Sequence, residues 1–392
     1  MNELQKIAEA YAENRQRGVR CALASIVYAT GSTYRRAGAR MLINEHTQIT
    51  GSISGGCLEA DVIERALQVM ATGQAQIASY DTRANEDIAW GTGLGCQGLV
   101  EVLIERLPAE PNNTPLGLLA RAQAASESCV LATVIGAAEH ARLGERLLLT
   151  QAGVLFHQFA DDAFVTQINA DARRVLALGR SELKHYGAAK VQLEFIEAPV
   201  PLVLFGAGPD ALPVVRLARE LGWHITVVDT RARAATKERF READEIVLCR
   251  AEEVAGRVRL TPRTVAVLMS HNYLDDLELL KHLLPAPLRY IGLLGPRKRG
   301  VRLLEELRVC HGFQPAPDDA RLHSPIGLDI GADTPEEIAL SIIAEIRAVL
   351  TGRAASFLKD RSVPIHTAVD EAVPLAAPRA LKAVAAPVAC AA

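Results

Sequence analysis

The stretch PLVLFGAGPDALPVVRLARELGWHITVVDTR (201–231) sets the fold class. An apolar run ends in Gly206 and Gly208, a helical pattern follows, and a second apolar run closes on Asp229. Gly206, Gly208 and Ala211 fill the G-x-G-x-x-(G/A) positions, with an acid about 20 residues on, which is the strand–turn–helix fingerprint of a dinucleotide crevice. The chemistry of each position is specific. Gly206 permits the turn, Gly208 lets a pyrophosphate approach the backbone, and the helix N-terminus offers N–H donors. Asp229 would bind ribose hydroxyls and favour NAD over NADP, a preference that Arg231 and Arg233 weaken. The same motif also occurs in sheets that hold another ligand or none.

Downstream, DEIVLC, TVAVLMS and RYIGLLG (289–295) alternate with helical patterns over 273–284 and 297–309. Strands alternating with helices predict a parallel sheet with crossover connections. Thr334, Pro335 and Glu337 read as N-cap, first helical position and capping-box partner of a last helix running to about Leu350. Ser270, His271 and Asn272 end one predicted strand, and Gly295 with Arg297 and Lys298 ends another. Ligands of open α/β sheets bind outside these strand ends, which makes His271 the best-placed histidine for catalysis.

Upstream, the pattern predicts a helix over 1–15, a strand from Val19 to Tyr28, short strands at 39–44 and 48–54, and a helix over 58–71 stopping at Gly73. GLVEVLIER (98–106) alternates as a strand. A further helix follows, then strands around 129–136, 146–157 and 190–197. The fold class is therefore α/β: an N-terminal mixed α/β domain (1–197), a C-terminal Rossmann-like domain with a parallel sheet (198–355), and a flexible Ala/Pro-rich tail (356–392). No internal repeat is read.

Length and composition narrow the function. The 392 residues suit two domains at roughly 100–200 residues each. A hydrophobic share of 49% excludes disorder over most of the length. Lys+Arg number 43 against Asp+Glu 46, for a net charge of −3, so no basic field marks a nucleic-acid partner. The N-terminus lacks the apolar core of a secretion signal, and no run approaches the roughly 18–20 apolar residues of a membrane span. Seven scattered cysteines without a CxxC pair argue against a disulfide framework and a structural zinc site, and for a reducing cytoplasm.

Three N-terminal segments carry chemistry. GSISGGCLEADV (51–62) places Ser54, Gly55, Gly56 and Cys57 at a helix start, where backbone N–H groups would cradle a phosphate and the dipole would favour a thiolate. A thiolate there suits a soft metal, sulfur transfer or nucleophilic attack. TGLGCQG (92–98) puts Gly95 and Cys96 on a second glycine loop. If the two loops meet, Cys57 and Cys96 line one pocket as metal ligands. GSTYRRAGARM (31–41) supplies Arg35, Arg36 and Arg40, whose forks suit phosphate or carboxylate, though a solvated face is as good a reading for the first two.

Together, GSTYRRAGARM, GSISGGCLEADV, GLGCQGLVEVLIE, VLFGAG with VVDTR, YIGLLGPRKR and LHSPIGLDIGADTPEEIALSIIAEI resemble the XdhC/CoxI family, proteins that help mature molybdenum hydroxylases such as xanthine dehydrogenase. The likeness spans nearly the whole chain. It implies molybdenum-cofactor binding at the loop cysteines Cys57 and Cys96. It also implies help with sulfuration and insertion into an apo-hydroxylase, with a cysteine desulfurase as second partner. A homodimer is expected as the commonest oligomer. Two other readings stay open: an NAD(P)-dependent oxidoreductase using Gly206, Gly208, Asp229 and His271, and a nucleotide-sensing module that docks a partner.

Overall fold

A computed structural model describes residues 3–81, 98–108, 110, 112–124, 126–231, 236–312 and 319–362. The chain divides into two compact units, Met1–Pro199 and Val200–Ala392. Of the Ala/Pro-rich tail, 363–392 lie outside the described residues, as do Gly95 and Cys96.

The first unit opens with helix α1 (Glu3–Gln16) and strands β1 (Cys21–Gly31), β2 (Arg40–Asn44) and β3 (Ile49–Gly51). Helix α2 (Glu59–Thr72) and strands β4 (Gln76–Asp81) and β5 (Gly98–Leu107) follow, and α3 (Pro115–Ala124) ends this half. Gly73 closes α2 in the left-handed region at φ 74°, a C-cap that glycine adopts without a Cβ clash. The second half repeats the order: β6 (Cys129–Gly136), β7 (Arg146–Thr150), β8 (Gly153–His157), α4 (Asp162–Leu178), β9 (Glu182–Tyr186) and β10 (Ala189–Ile196). Residues 146–157, expected as one strand, are a hairpin.

The two antiparallel sheets have the same topology, β3-β2-β1-β5-β4 and β8-β7-β6-β10-β9, with a helix between the third and fourth strands of each. The unit is a duplication, which corrects the reading of no internal repeat. Once strands are matched, the sequence shows it: CALASIV (21–27) against CVLATVI (129–135), GARMLI (38–43) against GERLLL (144–149), and GLVEVLIE (98–105) against GAAKVQLE (187–194). The separations differ because the connections differ in length, so no single period emerges.

Strand alternation explains the layers. Ala22, Ala24 and Ile26 of β1 pack against Val62, Ala66 and Val69 of α2. Val130, Ala132 and Val134 of β6 pack in the same way against Ile168, Ala172 and Val175 of α4. The opposite faces hold Leu23 against Ile7 and Tyr11 of α1, and Leu131 against Leu118 and Leu119 of α3. Val27, Leu103 and Ile135 join the two sheets.

Between the sheets the repeats exchange ion pairs. Arg40 of β2 meets Glu194 of β10 at 2.5 Å, and its counterpart Arg146 of β7 meets Glu105 of β5, the counterpart of Glu194. Each guanidinium also donates to its own loop carbonyl at 2.7 Å, that of Gly38 or Gly144. The equivalent positions Glu101 and Lys190 pair with each other at 2.7 Å, as residues near a two-fold axis must.

The second unit is one parallel sheet in the order β13-β12-β11-β14-β15-β16. Its elements are β11 (Pro201–Phe205), α5 (Ala211–Glu220), β12 (His224–Asp229), the single turn α6 (Thr236–Arg239), β13 (Glu245–Leu248), the single turn α7 (Val254–Arg257), β14 (Val265–Leu268), α8 (Tyr273–Leu283), β15 (Tyr290–Leu293), α9 (Arg297–His311), β16 (Leu322–His323) and α10 (Pro335–Thr351). Strand order reverses between β11 and β14, so the loops after Phe205 and Leu268 flank the crevice where such sheets take ligands. The capping box of α10 forms as expected: Glu337 N donates to Thr334 Oγ1 at 3.3 Å and Thr334 N to Glu337 Oε2 at 2.9 Å. Cys310 is disulfide-bonded. Among the described residues no helix is long and apolar enough to cross a membrane.

Candidate functional site

Four free cysteines are described, and their environments separate them. Cys21, Cys129 and Cys249 are buried, and Cys57 is exposed. Burial pushes the Cys21 thiol up to about 11 and the Cys129 thiol to about 12, and raises that of Cys249 as well. Such thiols behave as small apolar side chains. Cys57 stands on the loop between β3 and α2, one residue before the N-cap Leu58.

That loop is organised around one carboxylate. Glu59, the first residue of α2 and 8% exposed, accepts on Oε1 from Ser52 Oγ (3.1 Å) and from the backbone N–H groups of Ile53 (3.3 Å), Ser54 (2.9 Å) and Gly55 (3.2 Å). Its Oε2 accepts from Gly56 N at 2.9 Å and from the Ser54 hydroxyl. Ser54 Oγ in turn accepts from Leu58 N at 2.9 Å, closing the loop just ahead of the helix. Burial raises the Glu59 carboxyl, but the hydrogen bonds from Ser54 and Gly56 outweigh it and hold it at about 2. The phosphate cradle expected at Ser54, Gly55 and Gly56 is therefore filled by the chain's own carboxylate. Sequence reading passed over Glu59, although an acid in the first turn of a helix that follows a glycine loop is the signal for it.

Two more contacts position the loop. Glu3 of α1 accepts from Ser52 N at 3.2 Å and from Arg35 Nη1 at 3.1 Å, tying the GSTYRR turn to the cysteine loop. The Tyr34 ring lies against Gly55, where an added Cβ would stand 3.0 Å from the ring, yet Tyr34 keeps 67% of its surface exposed. The three arginines part company. Arg40 is buried against Glu194, so its charge is neutralised inside the unit and it is not available to a ligand. Arg35 pairs with Glu3. Arg36 Nε is buried with no hydrogen-bond partner among the described residues. The second repeat has no counterpart of the glycine–cysteine loop. There Asp161 caps α4 directly, accepting from Ala163 N at 2.8 Å and Phe164 N at 3.2 Å.

The second unit places its expected residues at the sheet's carboxyl edge. Gly206 has φ +124°, and a Cβ there would stand 2.2 Å from the Met269 carbonyl oxygen, so contact with the end of β14 already requires glycine. At Gly208 the position of a Cβ lies 2.4 Å from Asp210 Oδ1, and Asp210 Oδ2 meets His271 Nε2 at 2.7 Å. His271 sits at φ +53°, a left-handed conformation that costs a β-carbon-bearing residue about 1–2 kcal/mol. Asp229 is 4% exposed and accepts from Arg231 N at 3.0 Å and Thr236 Oγ1 at 2.5 Å. Ser270 and Asn272 serve the fold: Ser270 Oγ donates to buried Asp276, and Asn272 Oδ1 caps α8. Gly295 turns the chain after β15 at φ +128°. Among the described residues, no group of three or more His, Cys, Asp or Glu side chains could hold a metal ion.

Known proteins bear on this geometry. The chain is 32% identical over 347 residues to a probable xanthine dehydrogenase component of Bacillus subtilis (strain 168), an overlap of 88% of this chain and 97% of that one. Residues 14–81 match the XdhC and CoxI family and residues 202–346 the XdhC Rossmann domain.

The chain belongs to the XdhC and CoxI family.

The N-terminal family match takes in the first repeat's arginine turn and cysteine loop and stops before the second repeat. A solved structure titled as a xanthine dehydrogenase from Bacillus halodurans superposes with a TM-score of 0.73 at 28% identity, covering 91% of this XdhC/CoxI chain and 98% of that one. The uncharacterized protein YqeB of Escherichia coli (strain K12) is 32% identical over 166 residues, 42% of this chain and 30% of its own length.

Proposed function

We propose that this XdhC/CoxI protein binds the molybdenum cofactor at the Cys57 loop, assists its sulfuration and passes it to a molybdenum hydroxylase of the xanthine dehydrogenase type. The observation that carries the reading is the contrast among thiols. Cys57 is exposed on a loop held by six donors to Glu59, whereas the other free cysteines described are buried. A buried carboxylate and two glycines that fix a loop around one exposed thiol suit sulfur and soft-metal chemistry.

The donor set fits part of the cofactor. When bound, the cofactor supplies a molybdenum centre held by a dithiolene, with a ligand position that exchanges oxygen for sulfur. Cys57 would be the protein's ligand or sulfur contact, and the exposed Tyr34 ring offers a flat apolar surface for the pterin. The loop's backbone N–H groups are occupied by Glu59, so a phosphate falls to Arg36, whose Nε has no partner among the described residues. The name of the Bacillus subtilis relative supports a hydroxylase of this type as the recipient. A cysteine desulfurase completes the proposed set of partners, and a homodimer is the proposed assembly.

The test is activation in vitro. Apo-hydroxylase incubated with cofactor, desulfurase and this protein should gain activity, and the Cys57→Ser protein should give no gain over a reaction without it. Equal activation by the two proteins overturns the reading.

A further inference from the structure

The family's Rossmann unit implies a dinucleotide, and the residues present do not fit one. A bound pyrophosphate needs the open face of the second fingerprint glycine and the N–H donors beside it. Here that face is covered: Asp210 Oδ1 lies 2.4 Å from where a Cβ on Gly208 would stand. The residue between them is Pro209, which has no N–H to offer. The acid that should reach ribose hydroxyls, Asp229, is buried and receives Arg231 N and Thr236 Oγ1 instead. Two arginines described nearby are engaged with backbone: Arg239 Nη1 donates to Ala207 O at 3.0 Å and Arg231 Nη2 to Ser270 O at 3.4 Å.

We propose that Asp210, paired with His271, is a specificity-determining residue that closes the Gly206–Gly208 crevice to nucleotide phosphates. The carboxylate takes the seat of the pyrophosphate, and His271 from the facing loop hydrogen-bonds to it at 2.7 Å. A phosphate arriving there would meet a negative charge and displace an existing hydrogen bond. The strained backbone of His271 fits this account, since φ +53° is maintained at the residue that faces Asp210 across the crevice. A group that enters the crevice must instead be a hydrogen-bond donor or a cation. The inference does not depend on the role of Cys57.

The experiment titrates the full chain with NADH, NADPH, AMP and inorganic pyrophosphate, using intrinsic fluorescence and calorimetry. The native protein should show no saturable binding below about 1 mM, the loosest end of the range for specific complexes. Asp210→Asn keeps the shape and removes the charge, and should bind at least one phosphate probe about 10-fold more tightly, a change worth about 1.4 kcal/mol. Asp210 makes no capping hydrogen bond to α5, so the variant should fold, and its melting temperature verifies this. Micromolar binding of any probe by the native protein overturns the proposal. So does a folded Asp210→Asn protein with no gain.

Discussion

Replacing Glu59 by Gln tests how the cysteine loop is held. One carboxylate accepts six hydrogen bonds, four of them from consecutive backbone N–H groups at residues 53–56. An amide oxygen can keep the four donors on Oε1, but the amide nitrogen then faces Gly56 N–H, donor against donor. Lowering the carboxyl from 4.5 to about 2 corresponds to about 3 kcal/mol of preference for the ionised form, at about 1.4 kcal/mol per unit. The substitution should therefore cost about 2–4 kcal/mol, within the range for charge-assisted bonds to a buried group. For a unit of this size that lowers the melting temperature by roughly 5–15 °C. The effect has a definite pH dependence. The folded carboxyl titrates below the unfolded one, so its contribution is complete above about pH 4.5 and fades as pH falls toward 2. Melting curves of native and Glu59→Gln protein should thus lie apart at neutral pH and converge in acid. Amide exchange at 53–56 should accelerate in the variant at neutral pH. A variant that melts within about 1 °C of native by calorimetry at neutral pH, with unchanged exchange in the loop, refutes the idea that this carboxylate organises it.

Other perturbations have equally definite outcomes. Glu194→Gln leaves Arg40 buried without its counter-ion and should destabilise the first unit by about 3–5 kcal/mol in urea unfolding, whereas the double change to Arg40→Met and Glu194→Leu should recover most of that loss. Brief iodoacetamide treatment of native protein at about pH 8, read by peptide mass spectrometry, should label Cys57 and spare Cys21 and Cys129, whose thiols burial holds near 11 and 12. Gly206→Ala puts a Cβ 2.2 Å from the Met269 carbonyl oxygen and should cost about 3 kcal/mol or more in thermal unfolding, with or without any nucleotide. Labelling of the buried thiols at the rate of Cys57, or a Gly206→Ala protein as stable as native, would contradict the packing described above.

The Rossmann unit was legible because its signals are local. Apolar runs of strand length, glycines at their ends and the Thr334–Pro335–Glu337 cap each act within a few residues. The duplication in the first unit was not legible, because its matching segments recur at different separations and only paired strands align them. The same applies to Arg40: beside Arg35 and Arg36 it reads as a fork for a ligand's phosphate or carboxylate, and only the contact with Glu194, 154 residues away, shows that it is spent inside the unit. At the cysteine loop, sequence located the thiol and the glycines but assigned the N–H groups to a ligand. Glu59 satisfies them because a carboxylate at the first helical position can fold back over the preceding loop. Asp210 is the parallel case in the second unit. An acid within the fingerprint G-x-G-P-D carries the charge that the phosphate would bring, and that signal was present in the sequence.

The most direct test of the central claim is the ligand content of protein isolated without oxygen from cells that make the molybdenum cofactor. Native protein should release molybdenum and a fluorescent pterin in equal amounts, approaching one of each per chain, and Cys57→Ser protein of equal melting temperature should release neither. Equal molybdenum and pterin in the two proteins, or pterin absent from both, would contradict Cys57 as the site that holds the cofactor.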